Sequence, residues 1–206
     1  GTAEVLRENA AEISRRLGRA VNVFMVSTRD EAKARAACPP ETLITADPFE
    51  VVRHPEVDIV AEVFGGTEAA KELVLEAIRH GKHVVTANKK LLAEYGSEVF
   101  ALAEEKNVMV QFEAAVAGGI PIIKALREGL SANRIRSIAG IINGTSNFIL
   151  SEMREKGSAF ADVLKEAQAL GYAEADPTFD IEGNDAGHKI TIMSALAFGT
   201  PMNFPA

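Results

Sequence analysis

Short apolar runs separated by helical patterns of about 10–15 residues dominate the first half of the chain. Val21-Asn-Val-Phe-Met-Val26, Val57-Asp-Ile-Val-Ala-Glu-Val63, His83-Val-Val-Thr86 and Val108-Met-Val-Gln-Phe112 have strand length and strand composition. Between them, Ala70, Leu73, Val74, Ala77 and Ile78 recur at helical spacing up to His80-Gly81. Leu92, Tyr95, Val99 and Leu102 form a second helical face. Parallel neighbours need such a crossover, whereas antiparallel ones need only a tight turn. The pattern therefore predicts an α/β fold with a Rossmann-type, doubly wound parallel sheet.

The chain opens inside a helix, with Leu6, Ala10, Ile13 and Leu17 on one face before Gly18. Neither a buried strand nor a G-x-G-x-x-G turn precedes it, and Gly1-Thr2 suits the tail of such a turn. The expectation is a truncated sheet belonging to a longer protein. After Phe112 the grammar changes. Ala114-Ala-Val-Ala-Gly-Gly-Ile-Pro121 is a small-residue loop opening a helix over 122–130. Arg134 to Ile142 alternates like a half-exposed strand. Asn143-Gly-Thr-Ser-Asn147 is turn and cap chemistry before a helix from Phe148 to Lys156. Phe160, Val163, Leu164, Ala167 and Leu170 mark another helix, closed at Gly171. We place the domain boundary near 112, giving a nucleotide-type domain 1–112 and an α+β domain 113–206.

A net charge of -7 argues against general binding to nucleic acid or to an anionic membrane. No run approaches the ~18 consecutive apolar residues of a membrane-spanning helix. One cysteine, Cys38, excludes an internal disulfide framework and a cysteine metal cluster, and suits a reducing, cytoplasmic compartment. It has no evident base partner, so an incidental thiol is the better reading. His54, His80 and His83 stand near element ends as caps or solvated side chains. His188 neighbours Lys189 but points about 100° away on a helix.

The run from Ala167 to Lys189 is the richest in chemistry. It holds Glu174, Asp176, Asp180, Glu182, Asp185 and Lys189, then leads into the apolar segment Ile190 to Phe198. On a helix beginning near Gly183, Asp185 and Lys189 share a face. Spacing alone leaves open an exposed helical ion pair of little energetic consequence. Three further positions carry alternatives. Arg29, after the first apolar run, suits a ribose 2′-phosphate, where an acidic residue would suit NAD; a solvated helix-start charge is the other reading. Lys89, in Thr86-Ala-Asn-Lys-Lys90, follows a parallel strand where ligands bind in open α/β sheets, or is a surface loop lysine. Glu113, before Val116, Gly118 and Ile120, could hold a hard cation with turned carbonyls, or simply sit at a closely packed helix start.

Taken together, four blocks resemble homoserine dehydrogenases: Ala167 to Lys189, Thr86-Ala-Asn-Lys89, Glu113-Ala-Ala-Val-Ala-Gly-Gly-Ile-Pro121 and Gly140-Ile-Ile-Asn-Gly-Thr-Ser-Asn-Phe-Ile-Leu150. The likeness extends from Gly1 to Phe204. That family reduces L-aspartate 4-semialdehyde to L-homoserine with NAD(P)H, on the route to threonine and methionine. The resemblance implies Lys189 as the catalytic lysine, with Asp185 as its acidic partner. It implies Glu174 and Asp180 as substrate-pocket carboxylates and Lys89 as a nicotinamide-nucleotide contact. Glu113 and the carbonyls of Val116, Gly118 and Ile120 match a monovalent cation site, typically sodium. It further implies that residues 113–206 form an incomplete substrate-binding and dimerisation domain, in a homodimer or homotetramer. With Arg29, the expected cofactor is NADP(H) in preference to NAD(H).

An ordinary lysine is protonated at neutral pH and can donate to an alkoxide as an aldehyde is reduced. Aspartate-semialdehyde dehydrogenase, which handles the same aldehyde, needs a cysteine nucleophile in its substrate domain, and none follows residue 38. A catalytically inactive nucleotide-sensing or interaction protein on the same fold is the remaining alternative.

Overall fold

The structure is a computed structural model and describes residues 1–202 and 204. It divides into two compact units. The first comprises Gly1–Glu62, Glu68–Val85 and Ala101–Val110; the second comprises Val63–Thr67, Thr86–Phe100 and the chain from Gln111 on.

In the first unit, α1 (Thr2–Glu8) and α2 (Ala10–Leu17) replace the single helix expected from the apolar spacing. The break falls at Asn9, whose side-chain amide donates to the Val5 carbonyl at 3.1 Å. Such local bonding competes with helix continuation. Strand β1 (Met25–Ser27) pairs in parallel with β2 (Leu43–Thr45), Val26 opposite Ile44. Between them α3 (Glu31–Ala37) is capped by Asp30, which accepts from the Lys33 amide. Next comes α4 (Pro48–Arg53), capped by Asp47 with Pro48 in its first turn. None of β2, α3 or α4 was expected, because segments this short show no readable period.

A second sheet has the order β3 (Ile59–Glu62), β4 (His83–Thr86), β5 (Val110–Gln111). Helices α5 (Glu68–Arg79) and α6 (Lys89–Glu105) are its two crossovers. β3 alternates exposed and buried residues as period two requires. α5 buries the expected face, Ala70, Leu73, Val74, Ala77 and Ile78, together with Leu75. Of the element-end histidines, His54 Nδ1 accepts from the Glu56 amide and closes a turn, His83 Nδ1 accepts from the distant Met109 amide, and His80 Nε2 lies 3.3 Å from Glu76 Oε1. Cys38 is a buried free thiol. Among the described residues no helix is long and apolar enough to cross a membrane.

The second unit is helical after Gln111. A 3-10 turn (Glu113–Ala115) precedes α7 (Ile122–Lys124), which widens into a π turn over Ala125–Gly129. Then follow α8 (Gly144–Lys156), α9 (Phe160–Ala169), α10 (Thr178–Ile181) and α11 (Asn184–Phe198). The strand expected over 134–142 does not form. The segment takes no regular structure and pairs with no described strand, and Ile141 is left 79% exposed. α8 starts four residues earlier than expected because Asn143 accepts from the Ser146 amide at 2.7 Å and caps it there. Ile149, Val163, Ala167 and Ala173 join α8 and α9 in one apolar cluster, with Phe148, Met153 and Leu164 around it.

This cluster fixes the carbonyls and caps that reach the acidic run. Ile149→Ala should therefore lower the unfolding free energy by about 3 kcal/mol in urea titration, the range for a buried aliphatic truncation. A change near zero would show that α8 and α9 are not packed as described.

Candidate active site

Gly183 adopts φ 79°, a left-handed conformation open to glycine, and turns α10 directly into α11. The turn brings Asp180, at the end of the short helix, near Asp185, in the first turn of the next. A carboxylate there is favoured by the helix N-terminus. One turn further, Lys189 places Nζ 2.6 Å from Asp185 Oδ2 and 2.7 Å from the Ile142 carbonyl, to which it also donates. Lys89, the first residue of α6, places Nζ 3.2 Å from Asp185 Oδ1. One carboxylate thus holds two ammonium groups. The side chains of Asp185 and Lys189 are only 7% and 17% exposed, which overturns the reading as a solvated helical pair.

Asn143 completes the cluster. Its side-chain amide nitrogen donates to Asp180 Oδ1 and to Asp185 Oδ2, each at 2.8 Å, while its oxygen caps α8. Ser146 Oγ donates to the Asp180 carbonyl at 3.2 Å, and Thr145 Oγ1 to the Tyr172 carbonyl at 2.6 Å. Burial by itself would raise the Asp185 carboxyl. Hydrogen bonds from Lys189 and Asn143, the charge of Lys189 and the contact from Lys89 outweigh it and hold the group below the ordinary aspartate value. His188, on the adjacent face of α11, is depressed chiefly by burial. The charges of Lys89 and Lys90 act in the same direction; Glu94 and Asp185 oppose them.

A cavity of about 260 Å³ opens beside Lys89, lined by Val63, Phe64, Gly65, Ala87, Asn88, Lys89, Lys90 and Phe179. Its floor is fixed by Asn88, which donates to the Gly66 carbonyl at 2.7 Å and accepts from the Leu91 amide to start α6. Phe179 faces Lys89 Nζ at 5.7 Å from the ring centre. An apolar wall and two ammonium groups suit a flat ring carrying anionic substituents.

The other sequence candidates lie elsewhere. Glu174 is exposed, and only its carbonyl is engaged, by Gln168 Nε2 at 3.1 Å. Arg29 is exposed just beyond β1, in the first unit, with no ion pair among the described residues. Glu113 aims both carboxylate oxygens at backbone: Oε1 accepts from the Ile123 amide at 2.9 Å and Oε2 from the Lys124 amide at 2.8 Å. Glu113 thus sits at a helix start. Ala117 and Gly118 have φ of 61° and 56°, turning the loop. The Val116 and Gly118 carbonyls accept no hydrogen bond among the described residues, while that of Ile120 accepts from the Ile122 amide at 2.8 Å. Among those residues no group of three His, Cys, Asp or Glu side chains is placed to hold a metal.

Two family models cover the chain. One, described as the NAD binding domain of homoserine dehydrogenase, matches residues 1–113; the other, described as homoserine dehydrogenase, matches 121–206. The chain belongs to the homoserine dehydrogenase family. The homoserine dehydrogenase of Neisseria gonorrhoeae is 76% identical over all of this chain and 47% of its own length. That of Pseudomonas aeruginosa is 62% identical over 99% of this chain and 46% of its own. The crystal structure of a homoserine dehydrogenase from Thiobacillus denitrificans superposes with a TM-score of 0.89 at 68% identity, covering 97% of this chain and 46% of that one. A hyperthermophilic archaeal homoserine dehydrogenase in complex with NADPH superposes with a TM-score of 0.80 at 32% identity, covering 96% and 67%. The chain thus spans about half the length of the curated homoserine dehydrogenases it matches.

Sequence reasoning missed Asn143, Phe179 and His188. Asn143 reads as a helix cap, and it is one; nothing local reveals that its amide also bridges two carboxylates. The depressed Asp185 carboxyl has a consequence for stability. A group whose folded value lies below its unfolded value stabilises the fold above the unfolded value, about pH 3.9 for aspartate, and loses that contribution as the pH falls through the folded one. Asp185→Asn should flatten the acid limb of unfolding free energy below about pH 4, measured by denaturant titration at successive pH values. An unchanged acid limb would mean that Asp185 is not held ionised by its partners.

Proposed function

We propose that the full-length protein interconverts L-aspartate 4-semialdehyde and L-homoserine, with NADPH as the favoured reductant, in threonine and methionine biosynthesis. The observation that carries this reading is the pair of ammonium groups, Lys189 and Lys89, held on the buried Asp185 carboxylate. An ammonium has three N–H donors. Lys189 spends two, on Asp185 and on the Ile142 carbonyl, and one remains for a substrate oxygen.

A bound nicotinamide supplies the hydride. Lys189 stabilises the negative charge that develops on the aldehyde oxygen and donates the proton that makes the alcohol. In the reverse direction Lys189 must accept that proton, so homoserine oxidation should favour alkaline pH. Asp185 keeps the ammonium oriented, and Asn143 keeps Asp185 oriented in turn. Asp180, with one oxygen engaged by Asn143, and the exposed Glu174 are carboxylates suited to the substrate's α-ammonium. Lys89 and the cavity beside it are suited to the nicotinamide nucleotide.

Arg29, exposed beyond β1 and without an ion pair among the described residues, supports the preference for a 2′-phosphate, and the archaeal relative was solved with NADPH. We assign residues 1–112 to nucleotide binding and 113–206 to substrate binding and dimerisation. The Glu113 carboxylate and the Val116, Gly118 and Ile120 carbonyls offer the oxygen donors a sodium ion takes, and we assign them that role in the complete enzyme. A cytoplasmic homodimer or homotetramer completes the reading. No observation favours an inactive sensor, since Lys189, Asp185 and Lys89 are all engaged.

Lys189→Ala should reduce kcat by about 10²–10⁴-fold, the range for a general acid, in protein still folded at the assay temperature. Losing one cation from the buried Asp185 carboxylate should also lower Tm. Near-wild-type turnover would remove the proton-transfer role. Arg29→Ala should narrow the ratio of kcat/KM for NADPH over NADH. A ratio of one both before and after the substitution would dismiss Arg29.

A further inference from the structure

Two glycines stand inside the helices that carry the site, Gly96 in α6 and Gly187 in α11. Glycine loosens a helix interior, so each calls for a local reason. Both reasons lie in the chain that follows α11. The Met202 side chain lies against Gly96, where any β-carbon would collide with its sulfur. Ser97 Oγ donates to the Met202 carbonyl at 3.3 Å. The Phe204 ring covers Gly187, where an added β-carbon would come within 2.8 Å of it. Met202 and Phe204 thus tie α6 to α11, the helices that bear Lys89 and Asp185 in their first turns.

From Phe204 a row of rings leads back to the site. Phe204 meets His188 edge-on with centroids 4.3 Å apart, His188 meets Phe179 at 5.3 Å, and Phe179 faces Lys89 Nζ at 5.7 Å. His188 is 2% exposed, and its Nδ1 has no hydrogen-bond partner among the described residues. With that nitrogen unpartnered, the packed rings of Phe204 and Phe179 help to set the imidazole's position. Lys89 has a flexible four-carbon stem. Among the described residues its side chain is otherwise held by the ion pair to Asp185 Oδ1, and its backbone begins α6. Lys189, by contrast, reaches Asp185 within α11 and is also held by the Ile142 carbonyl, so the row of rings does not bear on it.

We propose that Phe204 is a positioning residue for Lys89, acting through His188 and Phe179 to keep the ammonium on Asp185. Removing the Phe204 ring frees His188 to tilt, Phe179 follows, and Lys89 loses the face that confines it. The kinetic consequence rests on the function proposed above; the placement of Lys89 does not.

Two measurements on the full-length protein test this. In the first, Phe204→Ala should lower kcat/KM for NADPH by about tenfold, as small misplacements do, and Phe204→Tyr should restore most of it. In a Lys89→Ala background the same change should add little, because its effect runs through Lys89. Equal losses in both backgrounds would overturn the proposal and leave generic packing. In the second, Lys89 is acylated with an amine-reactive ester and quantified by peptide mass spectrometry. Its labelling should rise several-fold in Phe204→Ala, and likewise in Gly187→Ala, which displaces the ring without removing it. Unchanged Lys89 labelling in both variants would overturn the proposal. A protein inactive on aspartate semialdehyde whose Lys89 labelling still rises would remove the proposed reaction and leave the positioning role standing.

Discussion

A carboxylate taken out of water must be matched by cations and donors or it will not remain charged. Asp185 meets that demand with Lys189, Lys89 and Asn143, and each partner belongs to a different stretch of chain. The buried charge therefore acts as a registration point. It fixes where α6 begins relative to α11, and where Asn143 must stand to cap α8. Had the pair been exposed, the same residues would bring little stability and no defined geometry. Burial turns an ordinary i, i+4 pair into an aimed ammonium.

Asn143 shows how local and long-range demands can be met by one side chain. Its oxygen closes the start of α8, and its two N–H groups bridge Asp180 and Asp185. The run 134–143 supplies the Ile142 carbonyl that takes a second hydrogen from Lys189. That run forms no strand, yet its backbone reaches the site. The Glu113 cap likewise shows a carboxylate used first to complete backbone hydrogen bonds at the start of α7. A cation bound there would share oxygens already committed to two amides.

Legibility followed the length of the pattern. β4 and the buried face of α5 stand where their periods placed them, because several side chains repeat the same demand. The Asp185–Lys189 pair was readable once Gly183 was taken as a helix start. Their burial was not readable, since it depends on residues more than forty positions upstream. The strand expected at 134–142 failed because alternation states a face but cannot supply a partner strand. The single helix expected over 6–17 failed at one side chain, Asn9. His188 and Phe179 were invisible as site residues because their importance lies in which rings stack upon them, and no local spacing encodes that.

The proposed reaction requires an ammonium presented by Asp185 to an oxygen that becomes negatively charged. The most direct test is chemical rescue in the full-length protein. With Lys189 replaced by alanine, turnover of aspartate semialdehyde should return as methylammonium is added, saturating with its concentration, because a small cation can occupy the place Asp185 and the Ile142 carbonyl keep for Nζ. If the crippled variant ignores added amine while still binding nucleotide and substrate, Lys189 is not the proton donor and the central claim is wrong.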